Sequence, residues 1–203
     1  MNKKLIIFDC YGTLLTHSDI TPYPTFLNSV GLNLKDFYSK IMTTKNINWK
    51  DFIDKEKYSD LQFELSYSIF KQNVYTDVQL IKPYLDDLTE KLNSLKENYV
   101  VVILSNLSEE YHYPISKYLE DSVDKVFLSF ETGLIKPNPA SFNNVKEWYK
   151  DNFGEIDNNN IIVVDDSSKN IEQVISMGMI GIHVNNGNID APNSIKSFFE
   201  WIL

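Results

Sequence analysis

Five short stretches of this chain are β-branched and almost unbrokenly apolar, and a helical pattern fits between most of them. They are Lys4–Asp9 (KLIIFD), Tyr99–Ser105 (YVVVILS), Lys125–Ser129 (KVFLS), Ile161–Asp165 (IIVVD) and Ile180–Val184 (IGIHV). A strand with one wet face alternates polar and apolar residues; a strand covered on both faces does not. These five are therefore predicted to be buried strands covered on both faces. Among the intervening segments, Tyr84–Glu97 carries Leu85, Leu88, Leu92 and Leu95 at helical spacing, and a helix is also expected over Ser108–Glu120. Pro139–Asn152 opens on a proline, which the first helical turn tolerates. Ser168–Met177 stops at Gly178, a residue suited to the position just past a helix end. Strands alternating with helices predict a parallel α/β sheet with right-handed crossovers, a Rossmann-like core.

The rhythm breaks between the first two strands. Residues 16–81 contain no convincing strand, two amphipathic patterns (Lys35–Met42 and Asp60–Gln72), and seven lysines against eight acids. The expected organisation is a core of residues 1–15 and 82–203, with 16–81 forming an inserted helical cap over one end of the sheet. The aromatic residues of the insertion (Tyr23, Phe26, Phe37, Tyr38, Trp49, Phe52, Tyr58, Phe63, Tyr67, Phe70) fit helix-packing stripes.

Charge narrows the partners. The net charge is −9, a field that repels nucleic acid and anionic membrane, so neither is an expected partner. All 19 basic residues are lysines; arginine is absent. The longest apolar runs, such as Val100 to Leu104, are far too short to cross a bilayer. The first residues run into a strand with neither the apolar region nor the cleavage site of a signal peptide, and Cys10 is the single cysteine, so a cytoplasmic location is expected.

In an open parallel sheet, ligands bind beyond the carboxyl ends of the strands. Asp9 ends the first strand in D-C-Y-G-T, Ser105-Asn106 ends the second, and Asp165-Asp166 ends the fourth. Lys136 lies in G-L-I-K-P-N-P, the loop after the third. A strand-end aspartate can attack an electrophile and form a covalent intermediate. Gly12 allows close backbone approach, Thr13 can brace the loop, and Lys136 can neutralise developing negative charge. Gathering Asp9, Asp165 and Asp166 in one place would set like charges against each other, which a hard divalent cation among oxygen ligands relieves.

The order D-x-Y-G-T, S-N, K-P, D-D resembles the haloacid dehalogenase superfamily of hydrolases, in the group with a helical cap after the first motif. The resemblance implies Asp9 as nucleophile, with Ser105 and Lys136 as further catalytic residues. Ser105, Asn106, Gly12, Thr13 and Lys136 would hold a phosphoryl group. Mg²⁺ would be bound by Asp9, the carbonyl of Tyr11, Asp166 and its neighbour Asp165. Asn170 is expected to orient Asp166 or Lys136. Cap movement is implied, with hinges near Leu15–Asp19 and Leu80–Tyr84.

Tyr11 departs from the phosphatase pattern. Phosphatases of the superfamily resemble one another in a second aspartate two residues past the nucleophile, which protonates the leaving oxygen. A tyrosine with an ordinary pKa of about 10 does this poorly, and losing a general acid costs on the order of 10²–10⁴ in rate. D-x-Y-G-T-L instead resembles the 2-haloacid dehalogenases of the same superfamily. Those enzymes use a cap arginine, absent here, and lack paired acids in the fourth motif. The expectation is a Mg²⁺-dependent phosphatase of a small phosphomonoester; the alternatives are a dehalogenase-like hydrolase and a weak or inactive binding protein. His17, where the chain enters the cap, is the candidate substitute for the missing acid, against a solvated linker histidine. Cys10 is expected on the opposite face from Asp9, and His112 and His183 are expected to be structural.

Overall fold

A computed structural model describes residues 3–17, 22–31, 40–52 and 57–203. The strands β1 (Lys4–Phe8), β2 (Tyr99–Ser105), β3 (Lys125–Leu128), β4 (Ile161–Asp165) and β5 (Ile180–His183) form one sheet in the order β3-β2-β1-β4-β5. Every pairing is parallel, and Ile6 of the middle strand faces both Val101 and Ile162. All five strands lie where the apolar runs predict them, although β3 and β5 form the edges and β5 is not buried as expected; the chain reverses its winding direction between β1 and β4. That reversal opens a crevice at the carboxyl edge, the place where such sheets hold ligands.

Alternation along each strand divides the core. Ile6, Phe8, Val101, Ile103, Ile162 and Val164 face one apolar cluster, while Leu5, Ile7, Val100, Val102 and Val163 face another. The first face is covered by α3 (Leu88–Leu95), α4 (His112–Tyr118) and α8 (Ile195–Ile202). The second is covered by α6 (Pro139–Phe153) and α7 (Ser168–Ser176). A short turn of helix, α5 (Ser129–Thr132), follows β3. Helix α6 begins at its expected proline, with the Asn138 side chain accepting from the Ala140 N–H.

Three helices packed on the sheet differ from expectation. Helix α3 starts at Leu88 and not Tyr84, because Pro83 bridges to Leu15 and the Tyr84 N–H donates to the Leu14 carbonyl. Residues 82–84 are thus tied to the chain leaving β1 and cannot coil. The region 108–120 is a 3₁₀ turn (Glu109–Tyr111) followed by α4, which admits Pro114 only because it lies within the first helical turn. Helix α8 escaped the sequence reading, although Ile195, Phe198, Phe199 and Ile202 have helical spacing and the Ser194 hydroxyl caps it by accepting from the Ser197 N–H. Its Phe198 and Phe199 rings pack 5.6 and 5.9 Å from Phe8, beneath the strand that carries Asp9.

Between β1 and β2 lie α1 (Pro22–Ser29), a 3₁₀ turn (Trp49–Phe52) and α2 (Asp60–Leu80), with no strand among the described residues. Helix α2 outruns its predicted end at Gln72 by two turns. It is launched by a capping box in which Ser59 and Gln62 exchange side chain–backbone hydrogen bonds. Tyr23, Phe26, Leu27, Trp49, Phe63 and Phe70 form an apolar cluster of their own, with Phe26 stacked on Phe70 at 4.7 Å. Most of the Lys35–Met42 pattern, the rings of Phe37, Tyr38 and Phe52, and the Asp19 end of the first hinge lie outside the described residues.

Candidate active site

Parallel registration sets the site. Phe8 pairs with Val164, so the residues that follow them, Asp9 and Asp165, emerge side by side at the carboxyl edge. The Asp9 N–H donates to the Val164 carbonyl at 2.8 Å, carrying the ladder one residue beyond β1. One carboxylate oxygen from each of Asp9, Asp165 and Asp166 lies within 4.8 Å of the others. Lys136 reaches in from the loop after α5, its ammonium 2.6 Å from Asp9 and 2.7 Å from Asp165. Lys136 is 5% exposed, Asp9 8% and Asp165 fully buried, so these are ion pairs shielded from solvent.

The three carboxylates differ in what holds them. Asp165 is saturated: one oxygen accepts from the Ser167 N–H at 2.8 Å, the other from Lys136, and both accept from Asn170 at 2.9 Å. Asn170 therefore fixes Asp165, and not Asp166 or Lys136 as the sequence suggested; one turn into α7 it faces back onto the end of β4. Asp9 is held by Lys136 on one oxygen and more loosely by the Thr13 hydroxyl, at 3.3 Å, on the other. Asp166 is exposed and turned toward Gly12.

Burial dominates the electrostatics. It raises the Asp9 carboxyl to about 6; Lys136 opposes the rise, while Asp165 and Asp166 add to it. Burial works against the Lys136 charge, but Asp9 and Asp165 outweigh it and hold the ammonium above its ordinary value. Asp166, exposed as a residue but with its carboxylate against Gly12, is also raised, by partial desolvation and then by Asp165, with His17 and Lys136 pulling it down. The Cys10 thiol is buried in the core and pushed well up by desolvation and by Asp9, which leaves it an inert apolar side chain.

The loop after Asp9 is a tight turn in which the Gly12 N–H donates to the Leu15 carbonyl and the Leu14 N–H to the Cys10 carbonyl, both at 2.8 Å. Gly12 has φ +86°, and a Cβ there would stand 2.3 Å from Asp166 Oδ2 and 2.8 Å from His17 Nε2. His17 is exposed, as a linker histidine would be, but its ring nitrogen and the Asp166 carboxylate both face Gly12. Its ring also stacks on Tyr11, centroids 6.5 Å apart.

Tyr11 is oriented away from the chemistry. Its hydroxyl donates to the Tyr111 carbonyl at 2.5 Å, and burial raises it far above the ordinary phenol value, so it stays protonated and committed. Ser105 ends β2 on the other side of β1 and is buried at the same edge. The Asn106 side chain is consumed by the Lys136 backbone, accepting from its N–H at 2.8 Å and donating to its carbonyl at 2.9 Å. Asn106 thus acts as the brace for the Lys136 backbone.

One supporting residue was missed. Asn186, after β5, donates to the carbonyls of Gly12 (2.8 Å) and Thr13 (2.9 Å) and accepts from the Ile195 N–H, tying the nucleophile loop to α8. His183, expected to be structural, lies 2.9 Å from the Asp166 carbonyl through Nε2 and braces the main chain there. The N-N-G-N run carrying Asn186 reads in sequence only as a turn, because its partners are main-chain atoms more than 170 residues away.

The profile of the family described as haloacid dehalogenase-like hydrolase matches residues 3–178. A HAD family enzyme from Bacteroides thetaiotaomicron, solved with magnesium and inorganic phosphate, is 21% identical. It superimposes with a TM-score of 0.61 over 92% of this chain and 96% of its own. A predicted phosphoglycolate phosphatase from Haemophilus somnus gives 0.60 at 19% identity, over 91% of this chain and 86% of that one. A dehalogenase gives 0.56 at 17% identity over 98% and 97%. At these identities the likeness establishes the fold and does not choose between the two chemistries.

Proposed function

Since the chain belongs to the haloacid dehalogenase-like hydrolases, we propose that it is a Mg²⁺-dependent phosphatase of a small phosphomonoester, working through a phosphoaspartate on Asp9. The observation that carries this reading is the trio of carboxylates within 4.8 Å, with one buried lysine among them. That donor set is all hard oxygen, which fits Mg²⁺ and no soft metal. Asp9, Asp166 and the Tyr11 carbonyl would hold the ion, with Asp165 behind them. Bound there, it would neutralise charge on the phosphoryl oxygens and on the attacking carboxylate.

The chain's own residues supply the rest. Lys136 steers one Asp9 oxygen and Thr13 steadies the other, so the carboxylate meets phosphorus in a fixed orientation. The Asp9 oxygen–phosphorus bond forms as the ester oxygen–phosphorus bond breaks, and the leaving oxygen takes a proton. His17, over Gly12, is the group that donates it; histidine is the side chain most often used for such transfers. Water then attacks phosphorus, returning a proton to His17 as the Asp9 oxygen–phosphorus bond breaks, which restores Asp9 and releases phosphate. Asp165, saturated by Asn170, Ser167 and Lys136, keeps Lys136 placed throughout.

Colourimetric hydrolysis of p-nitrophenyl phosphate in millimolar Mg²⁺ and in EDTA tests the reading, run beside halide release from 2-chloropropionate. Metal-dependent phosphate release that disappears in Asp9→Asn is the expected result. Halide release without metal, or phosphatase activity surviving in Asp9→Asn, would overturn it.

A further inference from the structure

The Tyr11 side chain joins two parts of the chain that the topology otherwise keeps apart. Its hydroxyl donates to the Tyr111 carbonyl, and the Tyr111 hydroxyl in turn donates to Asp77 Oδ2. Asp77 lies in the last turn of α2, is 4% exposed, and has no partner on its other oxygen. The Tyr111 ring packs against the core cluster and against the α1–α2 cluster, 6.1 Å from Tyr11 and 5.8 Å from Tyr23. A buried carboxylate with a single bond depends heavily on that bond, since one to a charged acceptor is worth roughly twice a neutral one.

We infer that Tyr11 is a positioning residue: its hydroxyl ties the nucleophile loop, through Tyr111, to Asp77 on α2, so the seating of α2 on the core fixes the main chain at Cys10–Leu15. The relay is released as a unit. If α2 lifts, Asp77 leaves the Tyr111 hydroxyl, and the Tyr111 carbonyl is no longer held against Tyr11. The Tyr11 main chain, next to Asp9 in the turn closed by Gly12 and Leu15, then loses its outer support. The inference stands on this chain of hydrogen bonds and does not require phosphoryl transfer.

The test is hydrogen–deuterium exchange on the full-length, metal-free protein, comparing wild type with Tyr11→Phe, Tyr111→Phe, Asp77→Leu and Asp77→Asn. The first three each delete one link. Their Gly12, Thr13 and Leu14 amides should exchange roughly five- to tenfold faster, the effect of one lost hydrogen bond, while β4 amides keep the wild-type rate. Asp77→Asn retains an acceptor for the Tyr111 hydroxyl and should stay close to wild type. Unchanged loop exchange in Asp77→Leu and Tyr111→Phe would overturn the relay, as would acceleration spread equally over β4. Calorimetric Mg²⁺ titration gives a second readout: affinity should fall by a similar factor in the same three variants. Should wild type bind no Mg²⁺, the phosphatase reading fails while the exchange data still decide the relay.

Discussion

Replacing Asp9 with asparagine removes the nucleophile and, in metal-free protein, should make the fold more stable. Burial moves this carboxyl from 3.8 to about 6 even with Lys136 2.6 Å away. Between those two values the folded protein holds a proton that the unfolded chain has released. Stability from this group is therefore complete below the unfolded value and is lost as pH rises through about 6. At 1.36 kcal/mol per unit, keeping Asp9 ionised in the folded state costs about 3 kcal/mol above neutrality. Asparagine imitates the neutral acid: its carbonyl can accept from Lys136, and its amide can donate to the Thr13 hydroxyl, which then reverses its role. Urea unfolding followed by tryptophan fluorescence in EDTA reads the difference. At about pH 8 the Asp9→Asn midpoint should lie about 1 M higher, given a slope of about 3 kcal/mol per M. At about pH 4 the two midpoints should converge. Millimolar Mg²⁺ should narrow the gap by stabilising wild type more than the variant. A variant less stable than wild type at about pH 8 in EDTA, or one with the same advantage at both pH values, would refute the argument.

His17→Gln should slow hydrolysis of an alkyl phosphate by on the order of 10²-fold, yet change p-nitrophenyl phosphate turnover little, because a good leaving group needs no proton; equal losses on both substrates would point to misfolding. Gly12→Ala puts a methyl group 2.3 Å from Asp166 Oδ2 at φ +86°. It should abolish turnover and weaken Mg²⁺ binding measured by calorimetry. Asn186→Ala removes two donors to the nucleophile loop and the acceptor for the Ile195 N–H. A loss of about 1–3 kcal/mol in urea unfolding is expected, with kcat falling more than KM rises.

What the sequence revealed and what it concealed follow from the range of the interactions involved. Strands β1, β2 and β4 were legible because burial on both faces forces continuous apolar runs, and the edge bearing Asp9, Ser105 and Asp165 follows once the strands are parallel. Lys136 was legible through its motif. The bonds around these residues were not: Asn170 to Asp165, Asn106 to the Lys136 backbone, and Asn186 to the Gly12 and Thr13 carbonyls. Each joins an ordinary polar residue to a partner chosen by tertiary geometry, and asparagine leaves the same signature in a turn, a cap or a brace. Helix α8 was hidden differently, since two turns of helix behind a serine cap give too short a periodic window.

The residue at position 11 shows how one substitution can change a site's wiring while the architecture stays the same. An acid there would add a further negative charge beside Asp9, whose carboxyl already sits at about 6 from burial and its neighbours. Tyrosine avoids that charge, and its ring is long enough to reach the Tyr111 carbonyl. On the phosphatase reading the proton must then come from elsewhere, and His17 Nε2 stands against Gly12 beside the Asp166 carboxylate. Carboxylates and cations still do not balance: among the described residues, Asp9, Asp165 and Asp166 face Lys136 as their one buried ammonium, an excess of two negative charges when all are ionised. A divalent cation cancels that excess, and a metal-free haloacid site would have to carry it uncompensated. This charge imbalance, which the shared fold does not determine, is why the phosphatase reading is preferred over the dehalogenase one.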